Sequence, residues 1–245
     1  MLMKEKVVFY TYVSDDYYEV IGTPILINSF KRFHSDIELV VYRQEMIDRV
    51  FSEKGLYFDN AKPTFAKLLT GSYDLVVSID ADTIITARLE EILKNDYEIG
   101  SVTQVCDIAG ASIENVTAEM YVQAGMVASR NRLFWDIWEE ANKDTEKYIY
   151  REQDILNLVW YNDPEVSKMR RKIFDKDKNY YGVKSLGREK EFYLEGEKLM
   201  CRGEQVFCYH NARGHYIPKL QFEQLGFNPE VIEFLKYVSS NNSNL

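Results

Sequence analysis

Tyr73-Asp-Leu-Val-Val-Ser-Ile-Asp-Ala-Asp-Thr-Ile-Ile85 is the stretch on which the reading of this chain turns. Its apolar run Leu75–Ile79 has the character of a buried strand, as in a mostly parallel sheet covered on both faces. The strand runs straight into Asp80-Ala81-Asp82. In an open α/β sheet ligands bind beyond the carboxyl ends of the strands, so two carboxylates at this point face the site such a fold would have. Residues two apart in extended chain project to the same side, and a hard divalent cation that also takes phosphate oxygens would neutralise both charges. From the tripeptide alone a plainer arrangement stands beside this one, in which one Asp caps the next turn and the other is solvated.

The pattern around this stretch is consistent with one α/β domain. Strands are expected at Val7–Val13, Ile37–Tyr42, Ile99–Thr103 and Tyr121–Ala128, alternating with helical patterns at Ile21–Phe33, Gln44–Phe51 and Thr64–Leu69. Such alternation favours a mostly parallel, Rossmann-like central sheet with helices on both faces. Asn131 predicts an N-cap for a helix over Arg132–Asn142, with Leu133, Phe134, Ile137, Trp138 and Ala141 on its core face. Another short helix opens near Glu152 and runs to Trp160. Beyond Pro164 the pattern weakens into short β-like pieces at Ile173–Phe174, Phe192–Leu194, Leu199–Met200 and Val206–Tyr209, then a helix around Glu230–Val238. No linker rich in Pro, Gly or Ser divides residues 1–245, so a single domain is expected, with 239–245 a polar, flexible tail.

Composition narrows the classes of function. Thirty basic against 39 acidic residues leave a net charge of −9, which repels polyanions, so nucleic acid is not an expected partner. The one basic cluster, Met169-Arg-Arg-Lys172, reads as a solvated face. Three cysteines, Cys106, Cys201 and Cys208, have no CxxC spacing and read as buried thiols rather than as a disulfide framework or a zinc ribbon. No apolar run approaches the roughly 20 residues of a membrane helix, and no signal-peptide pattern opens the chain, so a cytoplasmic protein is expected.

The residues around the Asp pair give it a context. Asp80-Ala81-Asp82 followed by Thr-Ile-Ile-Thr-Ala-Arg-Leu-Glu-Glu-Ile-Leu93 resembles the metal-binding segment of GT-A-fold glycosyltransferases, and more narrowly that of glycosyltransferase family 8. Thr11-Tyr12-Val-Ser-Asp15-Asp-Tyr-Tyr18, with Ser29 downstream, is similar to the family's first strand and nucleoside-holding turn. That resemblance implies Asp15 on the base and Tyr18 stacked against it. Thr64-Phe-Ala-Lys67 resembles the segment whose basic residue meets the donor diphosphate, although Lys67 reads equally well as a solvated helix lysine. Gln123-Ala124-Gly125-Met126 looks like the Asn-Ala-Gly strand start that touches the donor sugar, with Gln in place of Asn.

Two further segments extend the resemblance. Tyr150-Arg-Glu152-Gln153-Asp154-Ile-Leu-Asn157 is similar to the family's Asp-Gln-Asp-x-Leu-Asn, which reaches the donor sugar and the reacting centre. Asp154 and Gln153 are the first expectations there and Glu152, in place of Asp, the next; acidic residues also suit any helix N-terminus. Phe207-Cys-Tyr-His210-Asn-Ala-Arg-Gly214-His215-Tyr-Ile-Pro218-Lys219 is similar to the family's His-x-x-Gly-x-x-Lys-Pro. It implies His210 as third metal ligand, Gly214 as a close backbone approach to phosphate and Lys219 as a phosphate contact. The extra residue before Gly214 keeps His215 a candidate for the role of His210.

The resemblance therefore implies a GT-A fold with a small C-terminal β/loop extension. It also implies a metal-dependent transfer of a sugar from a nucleotide-diphosphate donor, a UDP-sugar, to an acceptor hydroxyl on a glycan or glycoprotein, with retention at the anomeric carbon. The metal would be Mn²⁺ or Mg²⁺, and an imidazole beside carboxylates suits Mn²⁺ somewhat better. The donor contacts implied are Thr11, Tyr12, Asp15, Tyr18, Lys67, Ala81, Gln123, Ala124, Gly214 and Lys219. The weakly patterned Cys106–Ala118 and Asn162–Met200 are the expected acceptor segments.

Other classes remain on the table. A dehalogenase-type phosphatase also places Asp-x-Asp at a strand end, but on its first strand and with Thr at the fifth position, where this chain has Ile84. A nucleotidyltransferase would need a Gly-rich phosphate loop that is not found after Val13. A non-catalytic nucleotide-sugar-binding protein is the alternative outside catalysis.

Overall fold

A computed structural model of the chain describes residues 5–18, 22–54, 61–103, 113–117, 120–174, 189–210 and 222–241. Its main sheet contains β1 (Val7–Tyr12), β2 (Glu38–Tyr42), β3 (Leu75–Ile79), β5 (Ile99–Thr103), β6 (Val122–Ser129) and β7 (Arg171–Ile173), in the order β2-β1-β3-β6-β5-β7. β1 runs parallel to β2 and β3, and β5 parallel to β7, while β6 is antiparallel to both its neighbours. This is the mostly parallel sheet that the alternating pattern predicts.

Period-two alternation sorts the strand side chains onto two faces. Val8, Tyr10, Tyr12, Val76 and Val127 meet α3 (Gln44–Lys54), α4 (Lys62–Leu69), α6 (Arg132–Ala141) and α7 (Glu152–Asn162) through Ile47, Phe65, Trp135 and Leu156. Phe9, Val77, Ile79 and Met126 meet α2 (Thr23–Phe33) and α5 (Glu90–Leu93) through Leu26, Phe30 and Ile92. Helices therefore cover both faces, and the carboxyl ends of β1, β2 and β3 share one edge.

A third core belongs to the C-terminal extension. β8 (Phe192–Glu195), β9 (Lys198–Cys201) and β10 (Glu204–Gln205) form an antiparallel sheet, and Phe192, Leu199 and Tyr209 pack on Val231 and Leu235 of α8 (Pro229–Ser239). The short strand β4 (Thr83–Ile85), which the sequence pattern does not give, pairs antiparallel with β11 (Cys208–His210). Residues 242–245 of the expected tail lie outside the described residues, and α8 runs on to Ser239. No helix among the described residues is long and apolar enough to cross a membrane.

The core face of α6 needs correction. Asn131 caps the helix as predicted, accepting from the Leu133 N–H. Leu133, however, is 45% exposed, whereas Trp135 is fully buried. The Trp135 and Trp138 rings stack with centroids 5.8 Å apart, and Phe134 packs against both. At 100° per residue, a face centred on these three bulky rings leaves Leu133 on the far side.

Candidate functional site

β3 ends at Ile79, and the Thr83 N–H donates to the Asp80 carbonyl over 3.2 Å, closing a tight turn into β4. Asp80 and Asp82 therefore converge through a turn, and the extended geometry expected from the sequence is corrected on this point. The turn is anchored from β6, where the Gly125 carbonyl accepts from the Asp80 N–H at 2.9 Å. The β4–β11 ladder pairs Thr83 with His210, and this carries an imidazole from far along the chain to the two carboxylates. Ser29 of α2 fixes β4 by accepting from the Ile85 N–H at 3.0 Å.

Asp80, Asp82 and His210 offer ligand atoms that all lie within 4.8 Å of one another. His210 Nε2 is 3.0 Å from Asp82 Oδ1 and 3.4 Å from Asp80 Oδ2, and both His210 and Asp82 are buried. Two carboxylate oxygens and one imidazole nitrogen make a donor set suited to a divalent cation of intermediate hardness such as Mn²⁺. Gln123 stands behind the imidazole, its Nε2 3.4 Å from His210 Nδ1. A carboxamide carries both a donor and an acceptor, so it can serve either ring tautomer and orient a ligating histidine.

Gln123 reaches this place because β6 is bulged. The β5–β6 register jumps from Ser101↔Val127 to Val102↔Gln123, and the Ser101 hydroxyl lies 2.9 Å from the Gln123 carbonyl and 3.1 Å from that of Met126. Such bulges re-aim side chains beside sites. Ala124 is buried within the bulge.

A lysine that the sequence reading did not single out completes the centre. Lys62, the first residue of α4, places its Nζ 2.8 Å from Asp80 Oδ1 and 2.8 Å from Glu152 Oε1. Burial disfavours its charge, but Asp80 and Glu152 outweigh that penalty and hold the ammonium above its ordinary pKa. The Lys62 carbonyl accepts from the buried Tyr10 hydroxyl at 2.6 Å, which fixes the start of α4 to β1. A lysine at a helix start after an unpatterned stretch carries no sequence signal of its own. Lys67, the expected phosphate partner, is placed elsewhere, with its Nζ on Asp136 and Glu139 of α6.

The α7 start divides its three expected residues among different tasks. Glu152 faces Lys62 and through it Asp80. Asp154 is fully buried and turned inward, accepting from the Tyr121 hydroxyl and from the Tyr150 N–H at 2.9 Å. Burial and the neighbouring Asp154 keep that phenol far above its ordinary pKa. Asn157 ties α7 to β6 by accepting from the Val122 N–H at 2.8 Å and donating to the Val122 carbonyl at 2.7 Å. Gln153 donates its N–H to the Tyr150 carbonyl at 3.0 Å, closing a turn in which Arg151 has φ 43° and ψ −117°. These are the dihedrals of the second residue of a type II′ turn, a position that favours glycine.

The N-terminal segment lies next to the Asp turn. Thr11 and Tyr12 are buried in β1, with the Tyr12 ring 5.0 Å from that of Phe65. α1 (Asp15–Tyr18) follows, and Tyr18 packs on the cluster formed by Val13 and Ala81. Asp15 pairs with Arg43, whose guanidinium carbon sits 3.6 Å from the Tyr18 ring centre. Gly214, His215 and Lys219 lie outside the described residues, as do 106–112, 118 and 175–188 within the expected acceptor segments.

No protein-family model matches the chain, and no curated protein matches it. Among solved structures it is similar to WbbM, a bifunctional glycosyltransferase in its apo form, with a TM-score of 0.48 and 18% identity over 74% of this chain and 40% of that one. It is similar also to the glycosyltransferase GlyE of Streptococcus pneumoniae TIGR4, with a TM-score of 0.47 and 16% identity over 65% of this chain and 44% of that one. A third likeness is to the galactosyltransferase LgtC in complex with donor and acceptor sugar analogs, with a TM-score of 0.45 and 15% identity over 71% of this chain and 75% of that one. The chain thus spans less than half the length of the first two of these structures.

Proposed function

We propose that the protein is a GT-A-type, metal-dependent glycosyltransferase resembling family 8, moving a sugar from a UDP-sugar to an acceptor hydroxyl with retention. The observation that carries the reading is the convergence of Asp80, Asp82 and His210 at the carboxyl end of β3, beside the end of β1. Asp80, Asp82 and His210 would hold the cation. When bound, a divalent cation there supplies Lewis-acid stabilisation of charge on a departing diphosphate.

The remaining chemistry falls to the chain's own residues. As the bond between the anomeric carbon and the diphosphate oxygen breaks, its electron pair leaves with the diphosphate, and the acceptor oxygen bonds to that carbon while its proton passes to the departing diphosphate. Positive character develops on the sugar, as in glycoside hydrolysis, and a carboxylate held nearby stabilises it. Glu152, fixed by Lys62 beside Asp80, has that position, and Gln153 next to it on the first turn of α7 has an amide for orienting sugar hydroxyls. Asp154 acts from beneath by holding this turn in place through Tyr121 and Tyr150. Asp15 and Tyr18, beyond the end of β1, are the residues this reading assigns to the nucleoside.

The test is a thermal-shift series with UDP-, GDP-, ADP- and TDP-sugars, with and without Mn²⁺, on the wild type and Asp82→Asn, followed by a hydrolysis assay on any hit. The expected outcome is a Mn²⁺-dependent shift with a UDP-sugar that Asp82→Asn loses while its own unliganded melting stays close to wild type. An equal shift in the variant overturns the metal site. No shift with any donor overturns the transferase reading, and binding without turnover of any donor moves it to a nucleotide-sugar-binding protein.

A further inference from the structure

Arg43, just beyond the end of β2, has no part in the reading above. The Arg43 carbonyl accepts from the Met46 and Ile47 N–H groups at 3.0 and 3.1 Å and so caps α3, which fixes its backbone. Its side chain reaches α1. Nε and one terminal nitrogen lie 2.8 and 2.6 Å from Asp15 Oδ1, and the guanidinium covers the Tyr18 ring. Tyr18 also packs against the Val13 and Ala81 cluster. One face of the ring is therefore taken by Arg43, and the Asp15 carboxylate is already engaged. Both residues that the family resemblance gives to the base are committed to the same arginine.

The geometry points to Arg43 as the group that meets the nucleobase, with Tyr18 and Asp15 as its positioning residues. This rests on the nucleotide-donor reading and changes which side chain touches the donor. A guanidinium is planar and stacks on π-faces, and an aromatic ring below with a carboxylate at one edge holds it flat. Two of its five N–H donors face Asp15, so its outer face and its other donors remain for a base and that base's carbonyl oxygens. Position agrees as well. The end of β2 lies two strand spacings, about 10 Å, from the end of β3 where the Asp turn stands. In a nucleoside diphosphate the ribose alone separates the base from the metal-binding diphosphate, and base, ribose and the metal–phosphate contact together span a distance of the same order.

Isothermal titration of UDP and of inorganic pyrophosphate, each with saturating Mn²⁺, separates the base from the diphosphate. Wild type is expected to prefer UDP over pyrophosphate. Arg43→Ala should lose about tenfold or more of that preference, the range of one base stack, while its pyrophosphate affinity stays within about twofold. Arg43→Lys, which keeps the charge without the planar face, should recover little of it. An Arg43→Ala protein that binds UDP equally well or more tightly overturns the assignment, because Arg43 is then a surface ion pair or a plug the base must displace. A wild type that shows no preference for UDP overturns the nucleotide-donor reading itself, and this assignment with it.

Discussion

Replacing Lys62 by Met tests the electrostatic construction of the centre. Three carboxylates, Asp80, Asp82 and Glu152, surround one ammonium and one imidazole, so the group carries a net charge of −2 with His210 neutral. Lys62 Nζ is 2.8 Å from an oxygen of two of them, and its side chain is only 7% exposed. At an effective dielectric of 20 each contact is worth roughly 6 kcal/mol of gross attraction, and the cost of drying the ammonium cancels much of it. Removing the cation alone is different, because the carboxylates remain beside one another. Breaking a buried pair this way costs about 3–5 kcal/mol, and the 25% exposure of the Asp80 side chain argues for the lower end. Urea unfolding in EDTA should therefore show Lys62→Met less stable by about 3 kcal/mol, a fall in Tm of about 6–12 °C. Calorimetric Mn²⁺ titration of the same variant should show tighter binding, since the competing charge beside Asp80 is gone. A variant within about 1 kcal/mol of wild type in EDTA, with unchanged Mn²⁺ affinity, would refute the coupling of Lys62 to the metal centre.

Two further outcomes follow from buried and strained groups away from the metal ligands. His34 accepts from the Leu89 N–H at 3.0 Å, and burial, followed by the nearby Arg88, lowers its pKa to about 4. The folded value lies below the unfolded one of 6.5, so the neutral ring contributes stability that is present above pH 6.5 and lost as pH falls toward 4. Between pH 7.5 and 4.5 that loss is about 2–3 kcal/mol. His34→Gln keeps an acceptor but cannot titrate, so its deficit against wild type should shrink by that amount over this range in paired urea titrations; a constant deficit would contradict the assignment. Arg151 occupies a glycine-favouring turn position at φ 43°. Arg151→Gly should therefore raise stability by about 1 kcal/mol, whereas Arg151→Ala should give no gain, and an equal gain in both would trace the effect to charge rather than backbone.

The sheet was legible in the sequence because its signals are local. The apolar runs at Leu75–Ile79 and Val7–Val13 and the Asn131 cap each lie within a few residues, and the strand limits at β3 and β5 agree with the pattern. β4 was not legible: three residues carry no period, and the strand exists because β11 and Ser29 take up its backbone hydrogen bonds. The α6 face was misjudged by about one residue position because periodicity does not say which of several apolar side chains the largest rings will displace.

The site divides in the same way. Asp80, Asp82 and His210 could be named from residue type and order, since metal chemistry restricts the ligands to few kinds of side chain. Which groups stand next to them was decided by the tertiary structure. Lys62 and Lys67 lie five residues apart on one helix, which rotates them by about 140° and sends one to Asp80 and the other to α6. Glu152 and Asp154 lie two apart at a helix start, so one faces the cluster and the other the interior. Arg43 reaches Tyr18 only because β1 and β2 are neighbours. Sequence by itself determines which chemistries are available and the periods in which they occur; adjacency between segments dozens of residues apart is set by how the apolar faces pack, and that packing is a property of the whole chain.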